Sequence, residues 1–398
     1  MAVTGPNTGF TATDTNGSTQ DLGQRYVSKS YLIDVYPSLV PGRTSPGVWA
    51  WGLNNFGQLG NGNVTYYSSP VQVGSLTNWK QVSGGQYHTA IIKTDGSLWT
   101  WGLNTVGQLG QNNSTNYSSP VQVGALTTWK QVSCGYRHTT SVKTDGTLWA
   151  FGLNTNGQIG NGTVTNYSSP IQVGSDTTWK QISCGGLHNV AGKADGSLWT
   201  WGFNNNGQLG NGNTISYSSP TQVGSLTNWK QVAGGDMHSA SVKTDGSLWT
   251  WGSNNYGQLG QGNITNYSSP VQVGSLTNWK QVACGGSFTV AIKTDGTLWT
   301  WGQNNAGQLG NGNTALYSSP VQVGSLTNWK QVFCGVAHTV AIKTDGTLWT
   351  WGSNNFGQLG NGNVTNYYSS PVQVGSLTSW KSVACGYFHT ISIQDGYI

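Results

Sequence analysis

The chain has 398 residues, of which 7% are charged; its acids are all Asp, its formal net charge is +5, and it carries 20 Trp, 17 Tyr and 5 Cys. So many aromatics exclude a wholly disordered polar chain, and no apolar run approaches the roughly 20 residues of a membrane-spanning helix. The lysines are spread evenly along the chain, which reads as a solvated ring and makes nucleic acid an unexpected partner.

Residues 1–46 stand apart from the rest of the chain. Met1 to Phe10 show no basic stretch leading into an apolar core, so no standard secretion signal is expected, and export by another route or release by lysis stays open. Residues 1–20, rich in Gly, Thr and Asn, read as a flexible arm. Residues 21–45 carry apolar groups at 31–33 and prolines at 37 and 41. They read as an extended or partly helical anchor that docks on the chain itself or on a larger assembly.

From residue 47 to 398 the chain repeats itself every 50 residues. Trp-Gly pairs begin at Trp51, Trp101, Trp201, Trp251, Trp301 and Trp351, and Phe151-Gly152 fills the remaining slot. Such a period marks one supersecondary unit copied because it cannot bury its apolar face alone, so residues 47–398 form one domain. In the second copy, residues 79–83, 88–93, 98–101 and 121–123 read as strands, with Thr94-Asp95-Gly96 as a tight turn and Pro120 opening the edge strand. Four strands without helical periodicity make a propeller blade, and the fold class is an all-β, seven-bladed β-propeller of four-stranded antiparallel blades. The last copy stops after two strands, at Ile398, and the missing pair stands at residues 47–73. N- and C-terminal strands therefore pair to close the ring. Trp99 and Trp101 share one strand face and are expected to fill the wedge between blades.

The unit with Trp101-Gly102, Gly107-Gln108-Leu109-Gly110, Cys134-Gly135, His138-Thr139 and Asp145-Gly146 resembles the regulator of chromosome condensation repeat family. The resemblance covers residues 47–398 in all seven copies and implies a seven-bladed propeller. Some members exchange guanine nucleotide on a small GTPase and bind chromatin, and others are ubiquitin-ligase parts or interaction platforms, so the repeat alone carries no single function. The copies here are more alike than expected of an exchange factor, and no basic tail for nucleosomes is seen.

Chemistry is scarce in the repeat. Asp95, Asp145, Asp195, Asp245, Asp295, Asp345 and Asp395 read as turn residues, which leaves no carboxylate pair for acid–base work. His88, His138, His188, His238, His338 and His389 share one slot with Phe288; being on separate blades, they read as holding neighbouring loops, not a shared metal. The five cysteines, also at one slot, read as small buried residues, and the Gly-Gln-Leu-Gly loops as structural turns, not phosphate cradles. No enzyme activity, cofactor or metal is expected.

What differs between copies is more telling. Gly-x-x-His holds Gln86-Tyr87, Tyr136-Arg137, Gly186-Leu187, Asp236-Met237, Gly286-Ser287, Val336-Ala337 and Tyr387-Phe388. The residue before Gly-Gln varies as Phe56, Val106, Tyr256, Ala306 and Phe356, and Tyr66, Ser216 and Leu316 vary beyond it. In an up-and-down blade these loops share one face, opposite the lysines and turn aspartates, and recognition usually sits on such loops. The expected ligand-binding set is Gln86, Tyr87, Tyr136, Arg137, Leu187, Asp236, Met237, Tyr387, Phe388, Phe56, Tyr256 and Phe356. The expected function is attachment or protein interaction, with a protein or glycan partner on the variable face and a virion (phage) or extracellular surface favoured over the cytoplasm. The alternative is an intracellular regulator resembling the exchange and chromatin-binding members.

Overall fold

A computed structural model describes residues 47–395 and three short strands before them, Val3–Thr4, Thr11–Thr13 and Thr19–Asp21, which pair in that order. The anchor expected over residues 21–45 lies, apart from Asp21, outside the described residues. The propeller itself is built of seven four-stranded sheets. Blade 1 consists of Trp79–Gly84, His88–Lys93, Leu98–Gly102 and Tyr117–Gln122, and blades 2 to 6 repeat it in chain order. Blade 7 takes Trp380–Cys385 and His389–Gln394 from one end of the chain and Gly47–Gly52 and Tyr67–Gln72 from the other, with Thr390 opposite Trp51. The closure expected from the repeat phase is what forms.

Burial explains the strand order. The second strand, His-Thr-Ala-Ile-Ile-Lys in blade 1, is buried along its whole length and lies between the first and third. The first strands of all seven blades surround a central channel of about 310 Å³. The fourth strand is longer than the sequence suggests and contains Pro120 within it; as the outer edge it has a side without ladder partners, where a missing N–H costs nothing.

Adjacent blades are latched by one carbonyl. Gln58 O, in a blade 7 loop, accepts from Trp101 Nε1 and from Thr89 Oγ1 of blade 1, both at 2.9 Å. Gly60 makes that approach possible: its φ is +76°, and a Cβ would stand 2.6 Å from the Trp101 indole nitrogen. Trp101 is fully buried, as expected of a wedge filler. Trp99 is only half-buried, its Nε1 donating to Ser97 Oγ at 2.9 Å.

The lysines do not form one solvated ring. Lys80, Lys130, Lys180, Lys230, Lys280, Lys330 and Lys381, at the start of the inner strands, are exposed. Lys93, Lys143, Lys193, Lys243, Lys293 and Lys343, at the end of the second strands, lie between two indoles: Lys143 Nζ is 3.5 Å from the Trp149 ring centre and 4.7 Å from that of Trp129. A long apolar stem and two aromatic faces that attract the ammonium offset the cost of drawing it out of water.

Candidate binding face

The loops joining first to second and third to fourth strands emerge together, as Leu103 N donating to Tyr87 O at 2.8 Å shows. The Asp-Gly turns emerge at the other end, beside the connections between blades, where Thr94 N donates to Asn78 O at 2.8 Å. All propeller lysines and every propeller aspartate but one belong to that second face or its inner strands. The loop face keeps one charge of each sign, Arg137 and Asp236.

Beneath the loop face runs a belt of histidines. His88 Nε2 meets Thr139 Oγ1 of the next blade at 2.9 Å, and the pattern continues through His188 with Ser239 and His389 with Thr89. Thr139 already donates its hydroxyl proton to Gln108 O at 2.9 Å, so it accepts from histidine, and the imidazole carries its proton on Nε2. Burial lowers the pKa of His88 to about 3, aided by the neighbouring His138 and His389, so the belt is neutral near pH 7. Each histidine thus holds its neighbour, and Phe288 interrupts the belt. The five cysteines are free, and burial raises Cys184 to about 11, which leaves its thiol inert.

Above the belt, the variable loops close around the channel mouth. Tyr136 N donates to Gly186 O at 3.0 Å, Gly186 N to Gly235 O at 3.0 Å and Tyr387 N to Gly85 O at 3.2 Å, so each loop leans on the next. Three off-pattern side chains meet across this ring. The Tyr387 hydroxyl, from blade 7, donates to Asp236 Oδ2 of blade 4 at 3.0 Å, and the Tyr136 and Tyr387 rings stand edge to face at 4.8 Å. Two glycines make room: a Cβ on Gly186 would come within 2.6 Å of the Tyr136 ring, and one on Gly286 within 3.3 Å of Asp236 Oδ2. Burial raises the Asp236 pKa to about 6, against the opposing pull of hydrogen bonds from Tyr136 and Tyr387. The remaining mouth cavity, about 100 Å³, is bordered by Gln86, Asp236 and Val336.

The sequence-derived set therefore divides in two. Gln86, Tyr136, Asp236 and Tyr387, the first variable residue of each loop, converge on the axis. The second residue turns outward: Tyr87 packs on Phe56 at 5.2 Å, Phe388 on Phe356 at 5.3 Å, and Met237 Sδ lies 3.4 Å from Asn206 Nδ2. Phe56 and Phe356 are thus half-buried, each packed against an aromatic of the neighbouring loop. Arg137 and Leu187 are half-buried in the same outer row, and Tyr256, whose corresponding partner slot holds Ser287, is 43% exposed. The sequence set missed Gly186 and Gly286, whose signal was their smallness at a slot filled elsewhere by large side chains.

Comparison with known proteins agrees with this architecture. The profile described as "RCC1-like domain" matches residues 174–397, and that of the "Regulator of chromosome condensation (RCC1) repeat" matches residues 47–92, 95–142 and 145–191. The solved structure of human WBSCR16 is similar at a TM-score of 0.81 and 24% identity, over 89% of this chain and 100% of that one. Prp20p from Saccharomyces cerevisiae, described with its binding to Gsp1p and histones, gives 0.80 and 19%, over 89% and 92%. Yeast RCC1 (Prp20) bound to Kap60 gives 0.79 and 19%, over 90% of each chain. No curated protein sequence matches the chain. These neighbours, intracellular proteins, overturn the expected virion or extracellular location. The physical reason is that the polar composition behind that expectation is spent inside the loops: Asn54 is fully buried, with Nδ2 donating to Thr65 O at 2.9 Å and Oδ1 accepting from Leu59 N at 2.9 Å.

Proposed function

The chain belongs to the RCC1-like domain family, and from that premise we propose that it is a non-enzymatic, protein-binding propeller of the intracellular regulator type, whose partner docks on the loop face. The observation that carries this reading is the meeting of Tyr136, Asp236 and Tyr387 over the channel mouth, on a face otherwise stripped of charge but for Arg137. Tyr and Arg are the residues that dominate protein interfaces, and a rigid ring presents them at little entropic cost. A protein partner is favoured over a glycan because Prp20p, a similar fold, is described as binding Gsp1p and histones. Asp236, the one carboxylate of the loop face, is engaged by phenols, which suits recognition more than acid–base catalysis. Residues 1–46 are read as a separate arm.

A second reading, nucleotide exchange on a small GTPase, rests on family membership alone. Both are tested on the purified chain, with and without residues 1–46, by capture of partners and by release of labelled nucleotide from small GTPases. Alanine at Tyr136, Arg137 or Tyr387 is expected to weaken capture by about tenfold or more each. Retention of every partner by all three variants would sink the assignment, and accelerated nucleotide release would favour the second reading.

A further inference from the structure

Away from the loop face, the walls between blades carry a repeated groove. Between blades 5 and 6 it measures about 380 Å³ and is lined by Val323, Leu326, Trp329, Lys343, Trp349 and Pro371. An equivalent groove of about 560 Å³ is lined by Lys293, and another of about 400 Å³ is lined by Trp129 and Trp149, the two indoles over which Lys143 lies. In each the lysine is 6% exposed and lies over indole faces, while a leucine at the rim, Leu326, Leu276 or Leu126, is nearly half exposed. Among the described residues no carboxylate lies within ion-pair distance of these three ammonium groups.

Blade 3 shows what such a groove accepts. There Asp176 stands in the slot of the rim leucine, and its Oδ2 reaches Lys193 Nζ at 2.5 Å. Lys193 keeps its place 3.7 Å from the Trp199 ring centre, so the carboxylate adds to the cation–aromatic stack without displacing it. Thr178 N donates to the other oxygen at 2.8 Å. The chain has filled one groove from within and left its counterparts open.

We propose that the open grooves at Lys143, Lys293 and Lys343 dock a partner segment bearing an acidic side chain between apolar residues. The acid takes the position of the Asp176 carboxylate against the lysine, and its apolar neighbours cover the exposed leucine and the proline of the adjacent edge strand. A lone small carboxylate would leave that apolar rim in water, so the occupant is a peptide. Several copies on one rigid ring let a partner with repeated acids bind by avidity even where a single site is weak.

The test uses the full chain and two capped peptides, acetyl-Leu-Asp-Val-amide and its Asn analogue, followed by the indole N–H resonances. The acidic peptide is expected to bind about tenfold more tightly than the neutral one, weakening with salt, and to shift Trp149, Trp299 and Trp349 but not Trp199. Leu326→Asp should fill its groove as blade 3 does and silence Trp349 alone, and Lys343→Met, which keeps bulk and removes charge, should do the same. Equal binding of both peptides, competition by acetate as strong as by the peptide, or a Trp349 response that survives both substitutions would overturn the proposal. Tyr387→Ala leaves these responses unchanged, so failure here is separate from failure of the loop-face reading.

Discussion

Asp236 and the six histidines respond to pH in opposite senses. Burial raises the Asp236 pKa from 3.8 to about 6, so between those values the folded state holds a proton that the unfolded state has lost. Stability from this group therefore falls as pH rises from about 4 to 6 and stays low above, by an amount on the order of 2–3 kcal/mol. Asp236→Asn is expected to be more stable than the parent at pH 7.5, by up to about that amount, and to lose the advantage near pH 4, as read from urea midpoints. The histidines work the other way. With folded pKa values of about 3 or 4 against 6.5, each stabilises fully above pH 6.5 and loses about 1.4 kcal/mol per unit as pH falls below it. Six such groups together outweigh Asp236, because one unit costs roughly as much as a domain's whole stability. The ring should unfold in mild acid, and Phe288→His, by adding a seventh buried imidazole, should move that midpoint to higher pH in a circular-dichroism titration. The histidine roles were legible from their single slot; the raised Asp236 was not, because nothing in Asp236-Met237 says that Tyr387, from the blade closed by the other end of the chain, reaches it.

At the scale of strands and loops, the one exception in the Trp-Gly series is informative. Phe151 occupies the wedge that Trp101 fills elsewhere and is equally buried, but it has no N–H to give to Gln108 O, which keeps only the Thr139 hydroxyl. Trp101, by contrast, donates to Gln58 O at 2.9 Å. Phe151→Trp should restore the second half of the latch and stabilise the protein by about 1 kcal/mol, the net worth of a buried hydrogen bond. Gly110, close to the Phe151 ring, gives the indole the same glycine neighbour that Gly60 gives Trp101. A lowered melting temperature would show that the blade 2 wedge has repacked around the smaller ring. Strand positions and turns were legible here because hydrophobic alternation and Asp-Gly punctuate every copy. Radial order was not: Tyr136 and Arg137 are adjacent in sequence, yet the first turns to the axis and the second to the rim. The sandwiching of Lys93 between Trp79 and Trp99 was equally hidden, since its partners come from two different strands and a charged residue at a strand end reads as solvated.

Over the whole ring, blade 7 is both the closure and the weakest seam. At four other seams a glutamine of the inner strand clamps the next blade in both directions: Gln81 Nε2 donates to Val132 O at 3.2 Å while Val132 N donates to Gln81 Oε1 at 3.1 Å, and Gln231 with Val282 does the same at 2.8 and 2.9 Å, whereas Gln181 makes a single bond, Nε2 donating to Lys230 O at 3.0 Å. On one side of blade 7 the buried Gln331 Oε1 finds no partner among the described residues, and on the other Ser382 stands in the glutamine slot, too short to reach blade 1. Gln394 also replaces the lysine that stacks on indoles in the other six blades. A ring opens where its circumferential bonds are fewest, and here the same blade joins the two ends of the chain, so its loss releases the third and fourth strands with it. Ser382→Gln should complete the clamp to Val82, raise stability by about 1–2 kcal/mol, and slow amide exchange in Gly47–Gly52 and His389–Gln394 more than in any other blade. If exchange slowed evenly around the ring, or blade 7 were already as protected as blade 4, the seam would not be where opening begins, and closure by paired ends would carry no mechanical cost.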